Sequence, residues 1–340
     1  MKYTKPALSF EQQAQRLLER GMIAMDKDLL VKRLCIVNYY RLSAYWYPFK
    51  QVDSSTSEER FAPNTTFEVI WRRYTFDRKL RLLVMEAVEQ VEVTILRTRM
   101  VEQFTLLHGP FGYYNIKNFN PRFLPEAHVR WMSELDEAVK RSSEEFVGRF
   151  RRKYTSEPHL PLWMAVEVMT FGQLFTMFRN LHRSEQQGLA KAFDLYPPVL
   201  VSWLHTLNFI RNTCAHHARL WNRELSIRPF LPDIRHHPEW HVPETLDNRR
   251  VFAVLTLLQY LLVYIDSQND WKARLEALLA EHPELPLNWM GFPKDWHTSP
   301  IWKKKKADNP LSFVIRCILP PLTEDHRPHN RAAGGHFRFP

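Results

Sequence analysis

Leu80, Leu83, Val84, Ala87, Val88, Val91 and Ile95 recur at steps of three and four, with arginine and glutamate between them. That period belongs to an amphipathic helix, not to a strand, whose faces alternate every second residue. Thr65 and Glu68 have the spacing of a capping box, so the helix is expected to start there and run to about Phe104. A helix this long with one apolar face needs other helices against it, and it predicts the backbone of a helical bundle.

The rest of the chain supplies those partners. Ser9 and Gln12 suggest a capped helix to about Arg20, and Asp26 opens another with Leu29, Leu30, Arg33 and Leu34 in phase. Further helical patterns cover residues 126–141, 144–153 and 162–181. Ser184 with Gln187 starts another, Pro197-Pro198 opens the next, and residues 248–265 and 270–281 complete the set. Only nine glycines and few period-two runs strengthen the expectation of an all-α protein. Residues 50–64 read as a solvated connector, and 109–125 as a loop. Three parts follow: a small helical and aromatic domain at 1–50, a bundle at 65–282, and an irregular basic extension at 283–340 whose end reads as disordered.

The formal charge is +10, which favours an acidic partner, nucleic acid first. Cys35, Cys214 and Cys317 are far apart and form no CxxC pair, so they suit a reducing compartment and no disulfide framework. The N-terminus lacks an apolar run of signal-peptide length, and residues 251–265 are too short to span a bilayer. A cytoplasmic protein with no membrane partner is expected. His236, His237 and His241 are interrupted by Pro238 and lack carboxylate or cysteine partners, so neither metal nor cofactor is expected there.

Chemistry concentrates between Leu207 and Arg223. Trp203, Leu207, Ile210 and Cys214 form one buried helix face. Asn212, His216 and Arg219 fall at spacings of four and three, on a different face that Arg211 can reach. A cation, an amide and an imidazole without a carboxylate suit a phosphate. The same Arg-to-His spacing recurs at Arg331 and His336, but there it brackets Ala-Ala-Gly-Gly, where no helix would join the two side chains. A helix-end histidine bonded to carbonyls is the alternative account of His216.

Two other segments could touch RNA. Residues 38–49, Asn-Tyr-Tyr-Arg-Leu-Ser-Ala-Tyr-Trp-Tyr-Pro-Phe, interleave rings with Arg41, as single-strand binders do, although packing of the rings against the bundle is favoured. Arg149, Arg151, Arg152 and Lys153 either follow an RNA backbone or form a solvated helix end. Glu167, in apolar company, is expected to bond with the polar face of the 207–223 stretch.

Together, residues 38–49, Phe-Asp-Arg-Lys-Leu-Arg at 76–81, and Arg-Asn-Thr-Cys-Ala-His-His-Ala-Arg-Leu-Trp-Asn-Arg at 211–223 resemble the Abi-like (AbiD/AbiF) abortive-infection family of phage-resistance proteins. The likeness runs from about Ser9 to Ile265. The resemblance implies a HEPN-like antiparallel helical bundle with Arg211, Asn212 and His216 as the catalytic signature of a metal-independent endoribonuclease. It also implies a homodimer in which two signatures meet, and a structured non-coding RNA as a partner. His217, Arg219, Asn222 and Arg223 are then second-rank RNA contacts, with Trp221 either clamping a base or packed in the core. Two other functions compete: a non-catalytic structured-RNA-binding regulator, and a helical protein-interaction module.

Overall fold

A computed structural model describes residues 2, 6–52 and 59–303, and the fold is all-α apart from one two-stranded ribbon. The extension from residue 304 on, which carries lysines at 304–306, the short apolar stretch 311–319, Cys317 and the Arg331/His336 pair, lies outside these residues.

The helix expected from the 80–95 periodicity is the central rod. It comprises α4 (Phe67–Val91), a π-helical stretch (Glu92–Arg99) and α5 (Met100–His108), and it stops at Gly109, whose φ of 76° is open to glycine. Its cap differs from expectation. Thr66 rather than Thr65 caps the first turn, through the Val69 amide at 3.4 Å, because the Thr65 hydroxyl is donated to the Ala62 carbonyl at 2.6 Å.

Before the rod come α1 (Phe10–Glu19), α2 (Lys27–Ile36) and α3 (Tyr39–Trp46). The capping box of Ser9 and Gln12 forms as the sequence suggests, and Asp26 caps α2. Tyr45 and Trp46 are buried, whereas Tyr40 and Tyr47 are exposed, so part of the aromatic segment is core. The supposed solvated connector is in part a ribbon: β1 (Lys50–Val52) pairs antiparallel with β2 (Glu59–Phe61). Phe61 drives this, being buried edge-on against Trp46 at 6.3 Å.

After α6 (Pro125–Arg141) and α7 (Glu145–Lys153), the single helix expected over 162–181 is broken into α8 (Leu162–Val168) and α9 (Phe171–Asn180). Thr170 and Gln173 make a capping box there, which ends one helix and starts the next. Glu167 is exposed, and among the described residues no hydrogen bond joins it to 207–223. Then follow α10 (Arg183–Lys191), one residue earlier than expected, and α11 (Pro197–Ala215) behind its two prolines.

α12 (Val251–Ile265) is apolar on nearly every side and buried from Val251 to Leu262, as befits a helix surrounded by others. α13 (Trp271–Ala280) lies antiparallel to α4. The pairs Glu86–Arg274 and Lys79–Glu281 tie the two, and Arg72–Glu284 continues the series just beyond the helix. Residues 283–303 are irregular but docked: Met290, Phe292, Ile301 and Trp302 are buried, and the Trp302 indole donates to Thr256 Oγ1 at 3.2 Å.

Candidate functional site

The face predicted for α11 is present, with Trp203, Leu207, Ile210 and Cys214 all buried. The helix ends at Ala215, before His216. His216 is the C-cap; its amide donates to the Asn212 carbonyl at 3.0 Å. His217 then takes φ 55°. Its amide reaches the Cys214 carbonyl and that of Ala218 reaches Thr213, both at 2.9 Å. These two bonds are the Schellman pair, which usually places glycine at the left-handed position. A histidine there is strained by about 1–2 kcal/mol, so surrounding contacts must hold the turn.

Arg219 therefore does not share a helix face with Asn212 and His216, as its spacing suggested. The chain has already turned, and the Arg219 guanidinium donates to the Ala44 carbonyl of α3 at 2.9 Å. Arg41 of α3 donates in return to the His217 carbonyl. Two arginines expected at an RNA surface thus use donors to clamp the turn. Arg223 bonds the Arg219 carbonyl at 2.7 Å, and Asn222, at φ 51°, accepts from Arg250 at 3.4 Å. Trp221 is fully buried and belongs to the core.

Beneath the turn lies a residue that the sequence reading did not single out. Asp77 of α4 is completely buried. Its carboxylate accepts from the Trp221 amide at 2.6 Å, the Leu220 amide at 3.1 Å and the Tyr45 hydroxyl at 2.5 Å, and it pairs with Arg81. One carboxylate therefore joins all three of the motifs at 38–49, 76–81 and 211–223. Burial raises the Asp77 pKa, while Arg81, the hydroxyl and the two amides oppose that rise. Arg73, one turn earlier, is buried between the rings of Phe49, Trp221 and Trp289 at 4.3, 4.9 and 5.2 Å, and burial pushes its pKa down to about 10. The signal was present in the sequence: Arg73, Asp77 and Arg81 continue the apolar phase of Leu80 and Val84.

A model of the Abi-like protein family matches residues 32–222, more than half of the 340-residue chain, and covers the motifs at 38–49 and 76–81 and the third as far as Asn222. The chain belongs to the Abi-like family. No curated protein and no solved structure gives a match.

In this Abi-like protein the side chains of Arg211, Asn212, His216 and His217 stand at the anchored turn, and His217 is exposed with, among the described residues, no hydrogen bond to its ring. Asn212 and His216 are exposed, and Arg211 is half-buried with its guanidinium 3.4 Å from the Asn212 amide oxygen. Among the described residues no hydrogen bond engages the His216 ring. Cys214, just beneath, is no nucleophile at neutral pH, since burial pushes its thiol up to about 12. The basic residues Arg149, Arg151, Arg152 and Lys153 are exposed on a different element, α7, with Arg149 paired to Glu145 at 2.6 Å. Each histidine of the 236–241 group has its own partner: Asp233 for His236, Glu239 for His237, and the Pro232 carbonyl with Thr245 for His241. Among the described residues no helix is long and apolar enough to cross a membrane.

Proposed function

We propose that this protein is a phage-defence endoribonuclease acting through Arg211, Asn212 and His216. Membership of the Abi-like family points to abortive infection. The observation that carries the nuclease reading is the turn itself: a left-handed, arginine-clamped helix end fixed from below by Asp77, with a guanidinium, an amide and an imidazole left open. A site held this firmly, whose polar groups bond only to each other (Arg211 to Asn212) or to nothing among the described residues, is pre-organised for a ligand.

The reaction is attack of a ribose 2′-hydroxyl on the adjacent phosphate. The nucleophile lies within the substrate, so the protein need only move protons and stabilise charge. Imidazole exchanges protons readily near neutral pH, which gives His216 the acid–base role. Arg211 neutralises the charge that builds on the phosphorane, an effect worth about 3 kcal/mol for one well-placed donor. Asn212 orients the pair. The products carry a 2′,3′-cyclic phosphate and a 5′-hydroxyl. One signature per chain makes the complete site the property of a homodimer, and RNA, including a structured non-coding RNA, is the partner suited to the chain's +10 charge. HEPN-like helices and toxicity to the host belong to the same reading.

The test is incubation of wild type and His216→Ala with total RNA, with and without EDTA, followed by mapping of new 5′ ends. Wild type should cut RNA but not DNA, with or without EDTA. His216→Ala should lose cleavage yet bind RNA within about tenfold of wild type, since one imidazole is a small part of a multi-phosphate contact. Cleavage that survives the substitution rejects the assignment.

A further inference from the structure

The far end of α11 carries a cleft of about 760 Å3, lined by Arg122, Arg179 and Arg183 with Asn180, Gln186 and Val201 among the rest, and by no acidic residue. The three arginines are exposed, and among the described residues none is in an ion pair. Unpaired guanidinium groups gathered in one concavity, where ion pairs formed elsewhere were available, are chemistry for an anion.

The seam between α9 and α11 leads from this cleft toward Asn212. α9 and α11 run antiparallel there: the Gly172 position lies beside Asn208, Phe175 stacks on His205, and Arg179 shares the cleft with Val201. On α11, Val201, His205, Asn208 and Asn212 follow at steps of four, three and four, so they share one face. None of them is buried. Midway, the His205 imidazole lies flat on Phe175, 5.2 Å between centroids and 6° between planes, while remaining exposed. An exposed flat ring backed by a second ring is a platform on which a base can stack.

We infer that the α9–α11 seam is the track of a single RNA strand, with a backbone phosphate seated among Arg122, Arg179 and Arg183 and a base stacked on His205. The inference rests on the reading of Arg211 and His216 as an RNA site and names how its substrate is held. Eleven residues of helix separate Val201 from Asn212, about 16 Å. At roughly 3.4 Å per nucleotide of stacked strand, the track holds about five nucleotides. Burial, then the nearby Arg179, lowers the His205 pKa, which favours the neutral ring.

The experiment uses the full chain carrying His216→Ala, so that RNA stays intact, and fluorescence anisotropy with labelled single-stranded RNAs of 3 and 12 nucleotides. Arg122→Gln/Arg179→Gln/Arg183→Gln should weaken binding of the 12-mer at least tenfold and leave the 3-mer nearly unchanged. It should also flatten the dependence of log K on log salt by about 0.7, the share of the one phosphate contact removed from a single strand. His205→Ala should weaken the 12-mer several-fold, and His205→Phe should restore it. Circular dichroism checks that each variant folds; all four positions are exposed. Several results overturn the track: 12-mer binding unmoved by the triple variant, a 3-mer affected equally, or competition by inorganic phosphate or polyglutamate at the same charge concentration as RNA. Cleavage by the chain that retains His216 is scored separately. Cleavage with no effect of the triple variant rejects the track and keeps the catalytic site; binding lost in the triple variant without any cleavage by wild type does the reverse.

Discussion

Asp77 decides more about this molecule than any residue that touches solvent. Removing one member of a buried pair leaves the other charge without its partner, and here it would also strand the Leu220 and Trp221 amides. Asp77→Ala should therefore cost about 3–5 kcal/mol by denaturant unfolding. Asp77→Leu/Arg81→Met, which removes both charges and refills the space, should recover the part of that loss due to the unpaired Arg81 charge but not the part due to the two amides. A loss below about 1 kcal/mol for Asp77→Ala would mean that the turn is held by something else. The polarity of Asp77 makes it easy to assign to the solvated side of α4. Its phase with Leu80 and Val84 instead puts it inside, and only the fold supplies the two amides that account for it. Arg41 and Arg219 show the converse. Their composition suggested a phosphate surface, but carbonyls on opposite sides of the α3 contact take their donors, and sequence spacing cannot show a carbonyl 175 residues away.

Among the elements, the long rod was readable because its period persists over many turns, whereas the signal for the break between α8 and α9, Thr170 with Gln173, lay inside a continuous apolar pattern that favoured one helix. A partner from the rod also braces that break. Arg97, in the π-helical stretch, donates to the Met169 carbonyl at 2.9 Å and to the Val166 carbonyl, which also accepts the Met169 amide at 3.2 Å, and it pairs with Glu92 at 2.6 Å. π-helical turns inside α-helices often mark functional positions. In this protein the stretch carries an arginine into the α8–α9 junction, and α9 packs beside α11 along the seam toward Asn212. Arg97→Ala should destabilise the fold by about 2–3 kcal/mol, because it orphans the Met169 carbonyl and the half-buried Glu92 carboxylate. Hydrogen exchange should show new protection loss in α8 and α9 before it appears in α12. Uniform loss across all helices would place Arg97 in the global core and not at this junction.

At the scale of the whole molecule, the chain presents one Arg211–His216 set on one turn, and the reaction proposed for it asks for two. Two sets related by a twofold axis would meet as an isologous contact, each copy giving the other what it receives. Mixing tests this without any structure of the assembly. If the site is composite and chains exchange freely, equal amounts of wild type and His216→Ala should leave about a quarter of the cleavage rate of the same total chain as wild type, because only that fraction of dimers carries two intact sets. Independent sites would leave about half. Dilution makes a second, separate demand: specific activity should fall at concentrations where sedimentation shows the dimer dissociating, since mass action removes the site together with the partner. A rate per chain that stays constant through that dissociation, together with half activity in the mixture, would make the single turn of α11 a complete active site and would leave Arg211 and His216 to act without a twin.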